Sequence, residues 1–349
     1  MKPTRLYRAV KWITSRALRV YFSRITIDGL ENIPLDKPFI LAANHQNALL
    51  DPLLVGALFP KPIHYLTRSD VFTRKTQRWL EQLNMMPIYR MKNGFGNLEK
   101  NQAIFDRCKN LFEQGEAVMI FPEGNHGEPH YLRPLSKGTS RLALDSQAYM
   151  ENDLYVLPVG LNFFEQKTPR TRVSIVYGKP IAVRNYLNSY QEDAQKGYRA
   201  LMDDLSVAIK ECMIIPDKTE DYDLKVKKVL HSRNEELSFK KLRDLATKDY
   251  NKSAPEFINT PKNTEHSFAV KLARFPNWGP YMILDHILKK FDDRVFYGTL
   301  KFSVMLLAMP IWWLLGLSFG WIFFGFWEGV VLVFLSVVGL FVKAELTKN

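Results

Sequence analysis

Residues 39–52 read FILAANHQNALLDP. Phe39–Ala43 is a continuous apolar run of strand length with no alternation, the pattern of a strand covered on both faces. The chain then turns polar at once, through Asn44-His45-Gln46-Asn47, and a second apolar run begins at Asp51-Pro52. Asp followed by Pro ahead of an apolar segment is a helix start, with the carboxylate as cap and proline at the first helical position. Working outward, the same alternation recurs. Strands are expected at residues 25–27, 63–66, 86–88, 117–121, 155–161 and 173–177, and helices at 52–58, 71–83, 98–114, 139–150 and 194–213. This order predicts an α/β fold with a largely parallel central sheet covered by helices.

Both ends of the chain differ from this middle. The 349 residues carry 48 basic and 36 acidic side chains, a net charge of +12, and residues 1–24 supply seven basic side chains and no acid. Arg or Lys recurs too often there for a signal peptide. Leu6, Val10, Ile13, Ala17, Val20 and Tyr21 step by three and four onto one helical face, opposite Arg5, Arg8, Lys11, Arg16 and Arg19. This predicts an amphipathic helix over residues 1–24 lying on an anionic membrane surface. At the other end, residues 302–342 contain a single charge, Glu328. A helix of that length reaches about 60 Å, twice a hydrocarbon core of about 30 Å, so a transmembrane or re-entrant hairpin is expected, turning near residues 316–320 or 325–329. Lys289, Lys290, Arg294 and Lys301 precede it and Lys343 and Lys348 follow, which predicts both ends on the cytoplasmic face of the cell membrane. The catalytic domain is expected over residues 25–215. A charged, solvated helical region with a polar linker at 251–266 is expected over 216–301. Cys108 and Cys212 give no metal-ligand spacing and no disulfide framework. The net basicity invites a nucleic-acid partner, but no recognition motif accompanies it, and none is expected.

Several strand ends carry reactive side chains. His45 follows a central strand in a short polar loop, where it suits a general base, and Asp51 could orient its ring; each also suits an ordinary loop and helix cap. A second strand ends in Phe121-Pro122-Glu123-Gly124, followed by Asn125-His126, Arg133 and Lys137-Gly138. A glycine at a helix start beside a lysine suits an anion or a solvated surface equally. A third strand ends in Tyr89-Arg90. One edge of a parallel sheet would gather them.

These blocks together resemble the glycerolipid acyltransferase family. Asn44-His45 to Asp51 looks like its histidine–aspartate pair, Pro87-Ile88-Tyr89-Arg90 its arginine block, and Phe121-Pro122-Glu123-Gly124 with Lys137-Gly138 its third block. Leu157-Pro158-Val159-Gly160 looks like its fourth. Two departures stand out: five residues, 46–50, separate His45 and Asp51 where four are commonest, and Asn125-His126 replaces a Thr-Arg pair. Both look like the branch with eukaryotic-type glycerol 3-phosphate and dihydroxyacetone phosphate acyltransferases.

The resemblance implies an acyltransferase of phospholipid biosynthesis that moves an acyl group from acyl-CoA or acyl carrier protein to a hydroxyl of lysophosphatidate. Glycerol 3-phosphate or dihydroxyacetone phosphate is the alternative acceptor. It implies His45 and Asp51 as the catalytic pair. Arg90, Glu123, Gly124, His126 and Lys137 are implied to bind substrate, with backbone N–H groups near residues 44–46 or Gly124 meeting the oxyanion. No cofactor or metal is expected; membrane lipids and the phosphate-bearing glycerol acceptor are the implied partners. A lysophospholipase or thioesterase, and an inactive membrane adaptor, are the competing functions.

Overall fold

The computed structural model describes residues 3–89, 96–230, 237–248 and 267–346. The first half runs α1 (Arg5–Tyr21), β1 (Arg24–Asp28), β2 (Phe39–Ala43), α2 (Leu50–Leu58), β3 (His64–Arg68), α3 (Gln77–Gln82), β4 (Met85–Ile88), α4 (Gly96–Glu113), β5 (Ala117–Ile120) and α5 (Gly138–Gln147). There follow β6 (Tyr155–Phe163), β7 (Arg172–Tyr177), β8 (Ile181–Ala182), α6 (Leu187–Glu192), α7 (Ala194–Glu211), α8 (Tyr222–Lys225) and α9 (Phe239–Ala246). The last four are α10 (Phe268–Arg274), α11 (Trp278–Leu288), α12 (Phe296–Phe323) and α13 (Phe326–Leu346).

The strands form one sheet in the order β1-β7-β6-β2-β5-β3-β4, with β8 beside β6. All pairings are parallel except those of β6 with β7 and with β8. The fold is therefore the expected mixed α/β layer with a mostly parallel sheet. Strand β2 is buried at all five positions, as its unbroken apolar run requires, and lies between β5 and β6. Since β2, β3, β4 and β5 run parallel, the polar sequences that follow them leave the same edge of the sheet.

Several expectations shift. The helix expected over 71–83 shrinks to α3, because Thr76 Oγ1 donates to Val71 O at 2.6 Å and accepts from Thr73 N at 2.8 Å, closing a local turn that competes with helix. In α1 the face turned inward is Tyr7, Thr14 and Leu18, packed on α2, while Trp12, Ile13 and Val20 are exposed beside Arg16 and Arg19. Lys11, assigned to the outer basic face, instead points inward: its Nζ donates to Phe59 O at 2.6 Å, where α2 ends, and burial lowers its pKa. The exposed surface of α1 thus mixes apolar, aromatic and basic side chains.

Helices α12 and α13 have 28 and 21 residues and mean hydropathies of 1.9 and 2.2, long and apolar enough to cross a membrane. They turn at Phe324-Gly325, where Gly325 takes φ +133°, which selects the second of the two expected turn sites. Gly320 meets Gly329 so closely that a Cβ on Gly320 would stand 2.2 Å from Gly329 Cα. The polar linker at 251–266 lies outside the described residues.

Candidate active site

The turn from β2 into α2 holds the proposed base. His45 Nδ1 and Asp51 Oδ2 are 2.7 Å apart, with Asp51 fully buried and the His45 side chain 15% exposed. The same carboxylate oxygen accepts from Asn47 N at 2.8 Å, which fixes the aspartate. The His45 ring stacks on Phe121 at 4.0 Å between centroids. Asn44 anchors the strand end: its amide donates to Leu161 O at 3.0 Å and accepts from Leu161 N at 2.7 Å on β6.

The five-residue spacing leaves a mark on this turn. Ala48, buried, takes φ +43°, a left-handed conformation that costs an L residue about 1–2 kcal/mol. Valine at this position, branched at Cβ, should therefore lower both thermal stability and turnover, whereas glycine should retain both; thermal unfolding and initial rates of the two variants check this.

The loop after β5 folds over the same turn. Glu123, with only 2% of its side chain exposed, accepts His45 N at 2.7 Å through Oε1 and pairs through Oε2 with Arg133 Nε. Arg133 also donates to His45 O at 3.1 Å and to Asn125 Oδ1 at 2.8 Å, and Gly127 N donates to His45 O at 3.1 Å. Burial raises the Glu123 pKa, with Arg133 and the His45 N–H opposing it. Glu123 thus holds the turn at His45, and the His45 and Gly124 N–H groups have partners within the protein, Gly124 N donating to Phe121 O at 3.0 Å.

His126 stands edge-on to His45, with ring centroids 5.6 Å apart. Its Nε2 lies 3.5 Å from Asp293 Oδ2, and its ring meets Phe296 at 4.7 Å. Burial lowers its pKa, His45 and Arg68 push the same way, and Asp293 opposes them. Lys137 sits apart from this cluster, exposed at the start of α5 with Nζ donating to Gln195 Oε1 at 2.8 Å. Arg90 lies outside the described residues, although Asn101 of α4 clamps the preceding Tyr89 through bonds of 2.9 and 2.8 Å.

The site also contains parts the sequence did not announce. The first turns of α12 pack on the catalytic turn: Thr299 Oγ1 lies 3.3 Å from both Leu50 N and Asn47 O. Gly298 comes so near that a Cβ would stand 2.3 Å from Gln166 O and 2.8 Å from Asn47 Oδ1. No short-range signal links residues 298 and 47; their meeting is tertiary. Arg133 was visible as a cation, but nine residues separate it from Glu123, and only the folded loop brings them together.

Residues 24–162 match the family model for Acyltransferase. This stretch is similar to the Acyltransferase family. A 1-acyl-sn-glycerol-3-phosphate acyltransferase of Bacillus subtilis is 24% identical over 173 residues, covering 48% of this chain and 80% of its own length. A glycerol-3-phosphate O-acyltransferase of Saccharomyces cerevisiae is 26% identical over 157 residues, covering 44% of this chain but 20% of its own, so the match spans about a fifth of that relative. The crystal structure of a 1-acyl-sn-glycerophosphate acyltransferase from Thermotoga maritima superposes with a TM-score of 0.43 at 18% identity, over 59% of this chain and 78% of the other. The matched span contains His45, Asp51, Glu123, His126 and Arg133, while α10 to α13 lie beyond it.

Proposed function

We propose that the protein is a membrane-bound glycerophospholipid acyltransferase that transfers an acyl group from a thioester donor to a hydroxyl of a phosphate-bearing glycerol, with lysophosphatidate as acceptor. The observation that carries this is the 2.7 Å His45–Asp51 pair at the carboxyl end of a central strand. Nδ1–H of His45 donates to the buried carboxylate, which leaves Nε2 unprotonated as the base. Nε2 takes the acceptor's hydroxyl proton as the oxygen attacks the thioester carbonyl. The tetrahedral intermediate then expels the thiolate, which takes the proton back from the imidazolium. Asp51 stabilises that cation and fixes the tautomer.

An apolar groove supports an acyl donor. It starts at Leu49 and Pro52, beside the catalytic turn, and runs between α1 and α2 past Val10, Leu53 and Gly56 to Tyr65. Helices α12 and α13 would hold the domain at the bilayer, with both ends of the hairpin on one side. The left-handed turn at Ala48 and His126 in place of an arginine favour the second reading, glycerol 3-phosphate as acceptor.

The test is an assay with one labelled acyl-CoA and either lysophosphatidate, glycerol 3-phosphate or no acceptor. Labelled phosphatidate formed from lysophosphatidate supports the first reading, and lysophosphatidate formed from glycerol 3-phosphate supports the second. Equal acyl release without any acceptor would identify a thioesterase instead. For the acceptor's phosphate, Arg68 is near enough to His126 to help lower its pKa, whereas Lys137 is turned toward Gln195. Arg68→Ala should therefore raise the acceptor's KM several-fold with the donor's KM unchanged, and Lys137→Ala should raise it less; steady-state kinetics on both variants decide the order.

A further inference from the structure

Helices α10 and α11, expected to be part of a solvated charged region, pack instead along the apolar hairpin. Helix α10 lies on α13 and α11 on α12, with the break between them at Pro276-Asn277. Ala273 meets Gly339, whose Cβ would stand 2.6 Å from Ala273 O, and Trp278 meets Trp312 at 5.6 Å between ring centroids. The chain thus runs inward along α13 and returns along α12.

The polar groups at the break are satisfied within the protein. Pro280 lacks an N–H, so Pro276 O has no partner one turn on, and Trp312 Nε1 donates to it at 2.9 Å. The buried Asn277 donates through Nδ2 to Ser336 O at 2.7 Å and accepts from Ser336 Oγ, which itself accepts from Trp313 Nε1 at 2.8 Å. Water would meet these needs at a solvated break; dedicated indole and hydroxyl donors are what hydrocarbon demands. The outward face is apolar: Phe268, Leu272, Phe275, Trp278, Met282 and Ile283 are all exposed. That face continues the exposed apolar surface of α12 and α13.

We infer that α10 and α11 form a re-entrant helical wedge whose outer face is covered by lipid acyl chains, with its tip near the middle of the bilayer. The depth follows from Ser336, which lies ten residues from either end of α13. At about 1.5 Å per residue that is about 15 Å from each end, half of a hydrocarbon core of about 30 Å. Lys271, Lys289 and Lys290 lie five or more residues along the chain from the tip at Pro276-Asn277, and Arg274, nearer to it, is paired with Asp285 and covers the Tyr281 ring. The wedge rests on the proposed crossing of α12 and α13, so its test carries a separate control for that crossing.

The full chain with Phe275→Cys or Leu314→Cys is labelled with a thiol-reactive fluorophore and placed in phosphatidylcholine–phosphatidylglycerol vesicles, with lipids brominated deep or shallow in the chain. Cys108 and Cys212 are buried and their thiol pKa values are pushed up to about 12, so they stay unlabelled in the folded protein. The label at Phe275 should lose as much emission to deep quenchers as the label at Leu314, which faces outward from α12. Quenching at Leu314 with none at Phe275, and ready reaction of Phe275→Cys with a membrane-impermeant maleimide, would place the wedge in water and overturn the inference. Protection of Phe275→Cys from both lipid quencher and maleimide would mean that a second copy of the chain covers the face, and also overturns it. Absence of quenching at Leu314 would remove the crossing itself, and the wedge with it.

Discussion

Replacing His45 with alanine is expected to lower acyl transfer by about 10²–10⁴-fold, the usual contribution of a general base. The loss should fall on kcat for every acceptor, because Nε2 acts on the reacting hydroxyl and not on the headgroup that distinguishes one acceptor from another. Folding should survive. The side chain is partly exposed, its backbone N–H and C=O keep their bonds to Glu123, Arg133 and Gly127, Asp51 keeps its bond from Asn47 N, and what is lost is the ring's bond to Asp51, its stack on Phe121 and its edge contact with His126. Asp51→Asn should also reduce kcat steeply, since an amide cannot stabilise the imidazolium. Turnover, measured with saturating donor, decides the matter; His45→Ala protein that unfolds at the wild-type temperature yet transfers acyl groups at the wild-type rate would remove His45 from the chemistry.

Replacing Arg133 with methionine should be the most damaging change to stability. It leaves the Glu123 carboxyl, at 2% exposure, without its cation, and breaking one partner out of such a buried pair costs about 3–5 kcal/mol. The pH dependence has a definite sign. In the wild type the Glu123 pKa is already raised, first by burial, so the folded protein holds that proton more tightly than the unfolded chain. Its contribution favours the fold at acid pH and is lost as pH rises through the folded value. Without Arg133 the folded pKa rises further, so the deficit against wild type should be largest near neutral pH and shrink toward acid, once pH falls through the folded wild-type value and Glu123 is protonated in both folded proteins. Unfolding temperatures of both proteins in detergent, across that range, check the prediction; a deficit that grows toward acid would contradict it. Lysine at this position should restore the charge but not the forked contacts to Asn125 and His45 O.

The parts of the fold that were legible were those encoded locally. Strand β2 falls at Phe39–Ala43 as its apolar run predicts, and a parallel sheet follows from the alternation of runs and helices. His45 and Asp51 were legible because both lie in one turn, six residues apart. For Glu123 the sequence shows a carboxylate but not the His45 N–H and the Arg133 side chain it meets, because those contacts form only in the folded loop. The inner face of α1 was misjudged for a related reason: its apolar stripe is degenerate, and contact with α2 chose Tyr7, Thr14 and Leu18. Nothing local could have paired Thr299 with Leu50, or Asn277 with Ser336, since those contacts exist only once distant segments have packed.

The close seating of Gly298 and Thr299 on the catalytic turn leaves no slack between anchor and reaction centre. Phe302 is buried in the catalytic domain's own core, one helical turn beyond Thr299, and Tyr21 of α1 meets it edge-on at 5.4 Å. A domain on a flexible tether would sample a range of heights above a bilayer and would have to find its substrate by diffusion in the water layer. Here, if α12 enters the proposed membrane just past this joint, His45 would be held at a single altitude above it. A lipid acceptor would then reach the base by sliding within its leaflet, and the search would run in two dimensions instead of three.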